Sequence, residues 1–224
     1  MGIAIALMII TAWVLHLFYI LGIPDINFSD PILYFHVLIQ TYLFTGIFIT
    51  SHDAMHKNIC KNKYINNSLG YLTSFLFAGF SFNKLLKSHL MHHRTPTSED
   101  DPDFNPRSQN FVLWWFKFLS NYVSIFQLIT MAVLFNILTL FYDSANVILF
   151  WVIPSILSTF QLFYFGTYLP HRNPHEGLQT PHFARSQKKN HFWAMLSCYF
   201  FGYHHEHHSS PKTPWWRLYK ISGN

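Results

Sequence analysis

Residues 32–56 read ILYFHVLIQTYLFTGIFITSHDAMH: twenty residues without a Lys, Arg, Asp or Glu run straight into His52-Asp-Ala-Met-His56. A hydrocarbon core about 30 Å thick takes roughly 20 residues of helix to cross, so 32–51 has the length of one crossing. On a helix, positions i and i+4 share a face. A single helix therefore spans the bilayer and, just beyond it, aims two imidazoles in one direction.

Three more stretches have the same character: Ile3 to Leu21, Tyr122 to Tyr142 and Val147 to Leu169. Composition agrees, since half the residues are hydrophobic and only 11% are charged, against about 25% charged in soluble domains. The first stretch lacks a basic n-region and a small-residue cleavage site, so it reads as a retained span and not a signal peptide. Ala6 stands where a myristoylation motif needs Ser or Thr. The short connections 22–31 and 143–146 carry Asp25, Asp30 and Asp143 but none of the fifteen Lys and Arg residues. By the positive-inside rule the basic side is cytoplasmic, and both termini and every clustered histidine fall there.

The expectation is an all-α integral membrane protein of one domain, residues 1–224, with four transmembrane helices in two hairpins. A cytoplasmic helical cap, 58–120 and 171 onward, would hold the histidines. Within it, Leu69 to Phe82 and Phe111 to Leu119 read as helices lying near the interface, where Trp and Lys anchor well. Gly79 and the Pro-rich run 95–106 punctuate the cap. Cys60 and Cys198 give neither a disulfide framework nor a thiol metal motif, and their default role is packing. The pI near 9.2 suits anionic lipid or an acidic protein partner. No nucleic-acid module is present, so no nucleic-acid partner is expected.

Two further clusters, His89-Leu-Met-His92-His93 and His204-His205-Glu-His207-His208, repeat the one-face spacing, and His171 follows directly on the fourth apolar stretch. With His205 turned away, the convergent set is His52, His56, His89, His92, His93, His171, His204, His207 and His208. A single zinc takes three or four protein ligands; nine suit two metals of four or five each. Imidazole serves Zn, Cu, Fe and Ni alike, so ligand type does not name the metal. His175 and His182 are alternatives for the ninth place, with His171 preferred because a helix end is more rigid than a Pro-flanked loop. His16 and His36 lie at similar depth near the opposite face and read as structural, and His191 as a cap or interface residue. A carboxylate that accepts the free N–H of a metal-bound imidazole fixes its tautomer and raises its basicity. Asp53, beside His52, is a candidate for that role or for a plain helix-surface residue, and Asp100, Asp101 and Asp103 for that role or for a solvated loop. Glu206 lies on the far face of its helix.

The order His-x-x-x-His, His-x-x-His-His, a lone His after a later span and a final His-x-x-His-His resembles the membrane di-iron oxygenases that include fatty-acid desaturases and hydroxylases. The segments His52-Asp-Ala-Met-His56, Ala78-Gly-Phe-Ser81, His92-His-Arg94, Asp100-Asp-Pro-Asp-Phe104, Leu169-Pro-His-Arg172, Ala184-Arg-Ser186, Gly202-Tyr-His-His-Glu-His-His208 and Pro214-Trp-Trp-Arg-Leu218 are similar to the bacterial-type beta-carotene 4-ketolases. This resemblance runs from about His52 to Leu218. It departs at Lys57, where a glycine would be expected, which leaves the local turn open. The match at Asp100 favours it as a residue that supports a metal ligand or transfers protons, and Asp53 is a candidate for the same role. The resemblance implies two iron ions, O2 and reducing equivalents as co-substrates, and oxidation of C4 of a beta-ionone ring to a ketone, beta-carotene giving echinenone and then canthaxanthin. It also implies a carotenoid taken from the lipid membrane, a ferredoxin-like electron donor and a shielded substrate tunnel.

Other readings are a fatty-acid desaturase or hydroxylase, a carotenoid ring hydroxylase, a metal-handling membrane protein and a membrane metallohydrolase. Transport would need ionisable residues along a path through the bilayer, and the middle of all four stretches lacks Asp, Glu, Lys and Arg. A hydrolase would be expected to use one catalytic metal with a general base near it.

Overall fold

A computed structural model describes residues 1–176, 178 and 180–223. Among them every regular element is helical. In chain order these are α1 (Gly2–Leu21), α2 (Pro31–Met55), α3 (Lys63–Ala78), α4 (Phe82–Arg94), α5 (Phe111–Tyr122), α6 (Ile125–Thr139), α7 (Ser144–His171), α8 (His191–Cys198) and α9 (His204–Ser209), then a 3₁₀ segment, Trp215–Lys220.

The helices begin where short polar side chains can accept the first free N–H groups. Asp30 caps α2 with Pro31 in its first turn, Asn62 caps α3, Ser81 α4, Asn110 α5, Ser124 α6, Asp143 α7 and Asn190 α8. Gly79 ends α3 in the left-handed region at φ 67°, a conformation glycine adopts without a Cβ clash.

α1, α2 and α7 are each long and apolar enough to cross a membrane. α1 buries Ala6, Ile9, Trp13, Leu17 and Ile20 at helical spacing while Leu7, Met8, Leu15 and Phe18 lie exposed. Apolar residues all round a helix mark a lipid-facing exterior as well as a protein-facing one. α2 is the central helix and packs against α1, α3 and α7. Its small and hydroxylated residues Thr45, Gly46 and Ser51 are fully buried or nearly so, and Ser51 Oγ meets Ser74 Oγ of α3 at 2.6 Å. Small residues allow such close helix approach in membranes.

The third expected span differs. The chain turns by 92° between α5 and α6, because Val123 is extended and Ser124 opens a new helix by accepting from Gln127 N. α6 then has only 15 residues, about 22 Å at 1.5 Å per residue. Three helices are long enough to cross, or four if the bent α5–α6 pair counts as one. Of α6 only Gln127 is buried.

α7 contains two π-helical turns, Ile148–Val152 and Tyr164–Tyr168. Such turns concentrate at functional sites. At the second one Gly166 lets the chain following α8 approach closely: a Cβ there would sit 2.1 Å from Phe201 Cε1.

Lys57, just past the His56 cap, has φ 61°. This is the position where a glycine was expected, and the backbone conformation explains that expectation. A side chain in this region costs about 1–2 kcal/mol, partly offset by the greater freedom glycine loses on folding. Lys57→Gly is expected to stabilise the protein by about 0.5–1 kcal/mol, read as a higher unfolding midpoint in detergent.

Candidate metal centre

Four pieces of chain bring the histidines together. The end of α2 supplies His52 and His56, α4 supplies His89, His92 and His93, the end of α7 supplies His171, and α9 supplies His204, His207 and His208. The ring nitrogens sort into two tetrads, His52, His56, His89 and His207 in one and His92, His171, His204 and His208 in the other, with all four nitrogens of each within 4.8 Å of one another. All eight residues are buried.

His93 lies between the tetrads. Its Nε2 is 3.0 Å from His207 Nε2, and its ring stacks on His208 with centroids 4.2 Å apart. The nine residues singled out from sequence therefore meet in one place as four, four and one between. His175 and His182 do not join them: His175 Nε2 binds the His171 carbonyl at 2.8 Å, and the His182 ring is 5.9 Å from that of His208. His205 turns to Ser209. His16 and His36 pair with each other at 3.1 Å, with Gln40 completing the group at 2.6 Å from His16.

The donor set fits two metal ions. Buried nitrogens without a hydrogen-bond partner are costly, yet His52 Nε2 and His171 Nε2, one from each tetrad, have none among the described residues. Neutral nitrogens turned toward three other imidazoles are what a cation needs. Burial, with the neighbouring histidines second, pushes His89, His204, His207 and His208 well below the ordinary histidine range. Burial, then Lys212, pushes His56 down to about 4.

Partners on the outer nitrogens hold two rings of the second tetrad. His171 Nδ1 lies 3.0 Å from the Phe183 carbonyl, so it donates there and leaves Nε2 as the free base. His92 Nδ1 lies 3.0 Å from Asp101 Oδ1. Burial opposes a charge on His92, but the Asp101 carboxylate outweighs it and raises the group. Asp101 also accepts from the backbone N–H groups of Thr97 and Asp103; burial raises it, but His92 and these N–H groups together hold it below the ordinary carboxylate range.

Neither carboxylate favoured from sequence touches an imidazole through a hydrogen bond. Asp53 is buried and accepts the Trp215 N–H at 3.3 Å, tying the C-terminal segment to α2. Asp100 is exposed, its N–H donating to Ser98 Oγ. Asp101 and Asp103, which carried no motif preference, face the histidines instead. Asp103 Oδ2 is 3.9 Å from His92 Nδ1, its Oδ1 accepts from the Tyr122 hydroxyl, and burial pushes it up to about 6. Spacing after the second cluster was a real but ambiguous signal for these two; nothing local marked Tyr122.

A partly open cavity reaches both tetrads. Phe48, Phe77, Phe80, Phe118, Leu162 and Phe201 give it an apolar wall, and it ends on His52 and His89 of one tetrad and His92 and His204 of the other, with Asp103 and Tyr122 at the side. Phe201 packs edge-on against His52 at 5.0 Å and His204 at 5.6 Å. Its apolar wall suits an apolar group placed against both tetrads and shielded from water.

The fatty acid desaturase family profile matches residues 29–144 and 120–223. A beta-carotene ketolase from a Paracoccus species is 40% identical over 181 residues, covering 80% of this chain and 74% of that protein. The chain belongs to the beta-carotene ketolase family. Zeaxanthin 4-ketolase from Chlamydomonas reinhardtii is 39% identical, covering 80% of this chain and 41% of that protein. Beta-carotene 4-ketolase 3 from Haematococcus lacustris is 38% identical, covering 81% and 59%. Shared family explains why the histidine order and the flanking motifs were recognisable together. No solved structure matches the chain.

Proposed function

We propose that this chain is a membrane oxygenase that converts C4 of beta-ionone rings to ketones, taking beta-carotene to echinenone and canthaxanthin. The observation that carries this reading is the apolar cavity ending on imidazoles from both tetrads. Each of two hydroxylations at C4 consumes one O2, two electrons and two protons and releases one water; loss of a third water from the resulting diol leaves the ketone. The nine histidines His52, His56, His89, His92, His93, His171, His204, His207 and His208 would hold two iron ions, which when bound supply the activation of O2. Asp101 orients His92, the Phe183 carbonyl orients His171, and the phenylalanine wall positions the ring and keeps water away. Asp53 acts by anchoring the C-terminal segment, and Asp103 with Tyr122 is the proton-holding pair nearest the cavity.

The experiment is expression in a beta-carotene-producing host with pigment analysis. Echinenone and canthaxanthin are the expected products; hydroxylated rings alone or unchanged beta-carotene would overturn the assignment.

The same reading sets four spans as two hairpins, with the bent α5–α6 pair as the third. It puts the metal centre and both termini on the cytoplasmic side, where the fifteen basic residues would meet an acidic ferredoxin-like donor. Reporter tags at both termini are expected to be cytoplasmic and one inserted near Asn27 to be on the opposite face. A cytoplasmic signal at Asn27 would refute the hairpins.

A further inference from the structure

The polar side chains of the cavity are nearly all engaged. Its histidines belong to the metal centre, and the Tyr122 hydroxyl donates to Asp103. Thr159 donates to the Ile156 carbonyl at 2.7 Å and accepts from Trp115 Nε1 at 3.2 Å. Thr167 also lines the cavity and is only 4% exposed, yet its hydroxyl makes no hydrogen bond to any described residue.

That is unusual for a helical threonine. The hydroxyl ordinarily returns to a carbonyl three or four residues back, as Thr41, Thr45, Thr73 and Thr130 all do here. Thr167 instead lies within the π-helical turn Tyr164–Tyr168, where the carbonyl ladder is one residue out of α-helical register. A hydroxyl on the cavity wall with no partner among the described residues is free to bond a ligand held there. Thr167 stands four residues before His171, on the helix that brings that imidazole into the second tetrad.

We propose that the Thr167 hydroxyl hydrogen-bonds the oxygen of the half-oxidised substrate, retaining the 4-hydroxy ring in the cavity so that the same C4 is oxidised again. This rests on the ketolase reading above. The second oxidation replaces the remaining C4–H by C4–OH, using one O2, two electrons from the external one-electron donor and two protons and releasing one water; the diol then loses another water. Thr167 supplies neither electron nor proton. It is a positioning residue, and it lets the cavity retain the ring alcohol after the first oxidation of the hydrocarbon.

The test is the ratio of 4-hydroxy to 4-keto rings made by Thr167→Val, Thr167→Ala and Thr167→Ser in a beta-carotene-producing host, with metal content measured on each purified variant. Losing one neutral hydrogen bond predicts a rise in the ratio of about fivefold in the Val and Ala variants. The Ser variant is expected to restore the wild-type ratio, and metal content to remain at the wild-type level. A purely structural role would lower both products together with bound metal and leave the ratio unchanged; that result, or a Ser variant that behaves like Val, overturns the proposal. If Val alone loses metal, the Ala ratio decides. A wild-type chain that makes no oxidised ring at all would instead defeat the ketolase reading itself.

Discussion

Replacing His207 by alanine is expected to take the purified protein from two metals per chain to about one and to lower turnover by more than about 100-fold. His207 contributes to one tetrad through a buried ring, and its Nε2 is 3.0 Å from that of His93, between the two groups. Removing it takes away one of four nitrogens and opens a void beside Phe201, whose ring lies 6.4 Å away. The reference for magnitude is an orienting partner, whose loss typically costs 10–100-fold in metal affinity or activity. Asp101→Asn should fall in that lower range, because asparagine can still accept from His92 Nδ1 but carries no charge. Metal analysis beside turnover checks both, and a His207→Ala protein with two metals and full activity would remove His207 from the centre.

Acidification is the second large effect. Metal and activity are expected to fall together as pH drops from 7 toward 4, with several protons taken up per chain. Burial lowers His56 to about 4 and His93 to about 2 in the folded chain, whereas an unfolded histidine titrates near 6.5. Between those values the unfolded chain binds the proton and the folded one does not, so stability decreases as pH falls below about 6.5. Each such group contributes about 1.4 kcal/mol per pH unit, or about 3 kcal/mol for His56 by pH 4. His89, His204, His207 and His208 act in the same direction. His92 has the opposite sign: its raised value gives stability that is full below 6.5 and lost as pH rises through its folded value. One such group does not offset six. Metal analysis and tryptophan fluorescence through an acid titration provide the readout; activity that vanishes while both metals stay bound would point to a single acid or base, with Asp103 the first candidate.

Three helices long and apolar enough to cross a membrane, and the convergence of nine histidines, were legible in the sequence because length, hydropathy and i, i+4 spacing are local properties. The partition of the nine was not, since His207 joins His52 and His56 while its neighbour in the same short helix, His208, joins His92 and His171. That depends on how α9 lies across α2 and α4, which no local pattern records. The α5–α6 bend was hidden for a related reason: hydropathy runs through Val123 and Ser124 without a break, and the one sign of it was Ser124 followed three residues later by Gln127, a helix-start signature. Spacing could not separate Asp100 from Asp101, because a single residue decides which carboxylate turns inward.

The C-terminal segment is fastened to the end of α2 at three points: Trp215 N–H to Asp53, Lys212 Nζ to the His56 carbonyl at 2.9 Å, and Asn58 Nδ2 to the Pro211 carbonyl at 2.9 Å. These contacts join segments that leave the ribosome far apart in time. The ribosome delivers His52 some 156 residues before His208, a delay of roughly 8–30 s at 5–20 residues per second. During that interval α2 is already long enough to enter the bilayer while its imidazoles have no α9 to meet. The clasp at Asp53 can close only after the final histidine cluster has emerged, so neither tetrad can be complete before that clasp's own residues are about to follow.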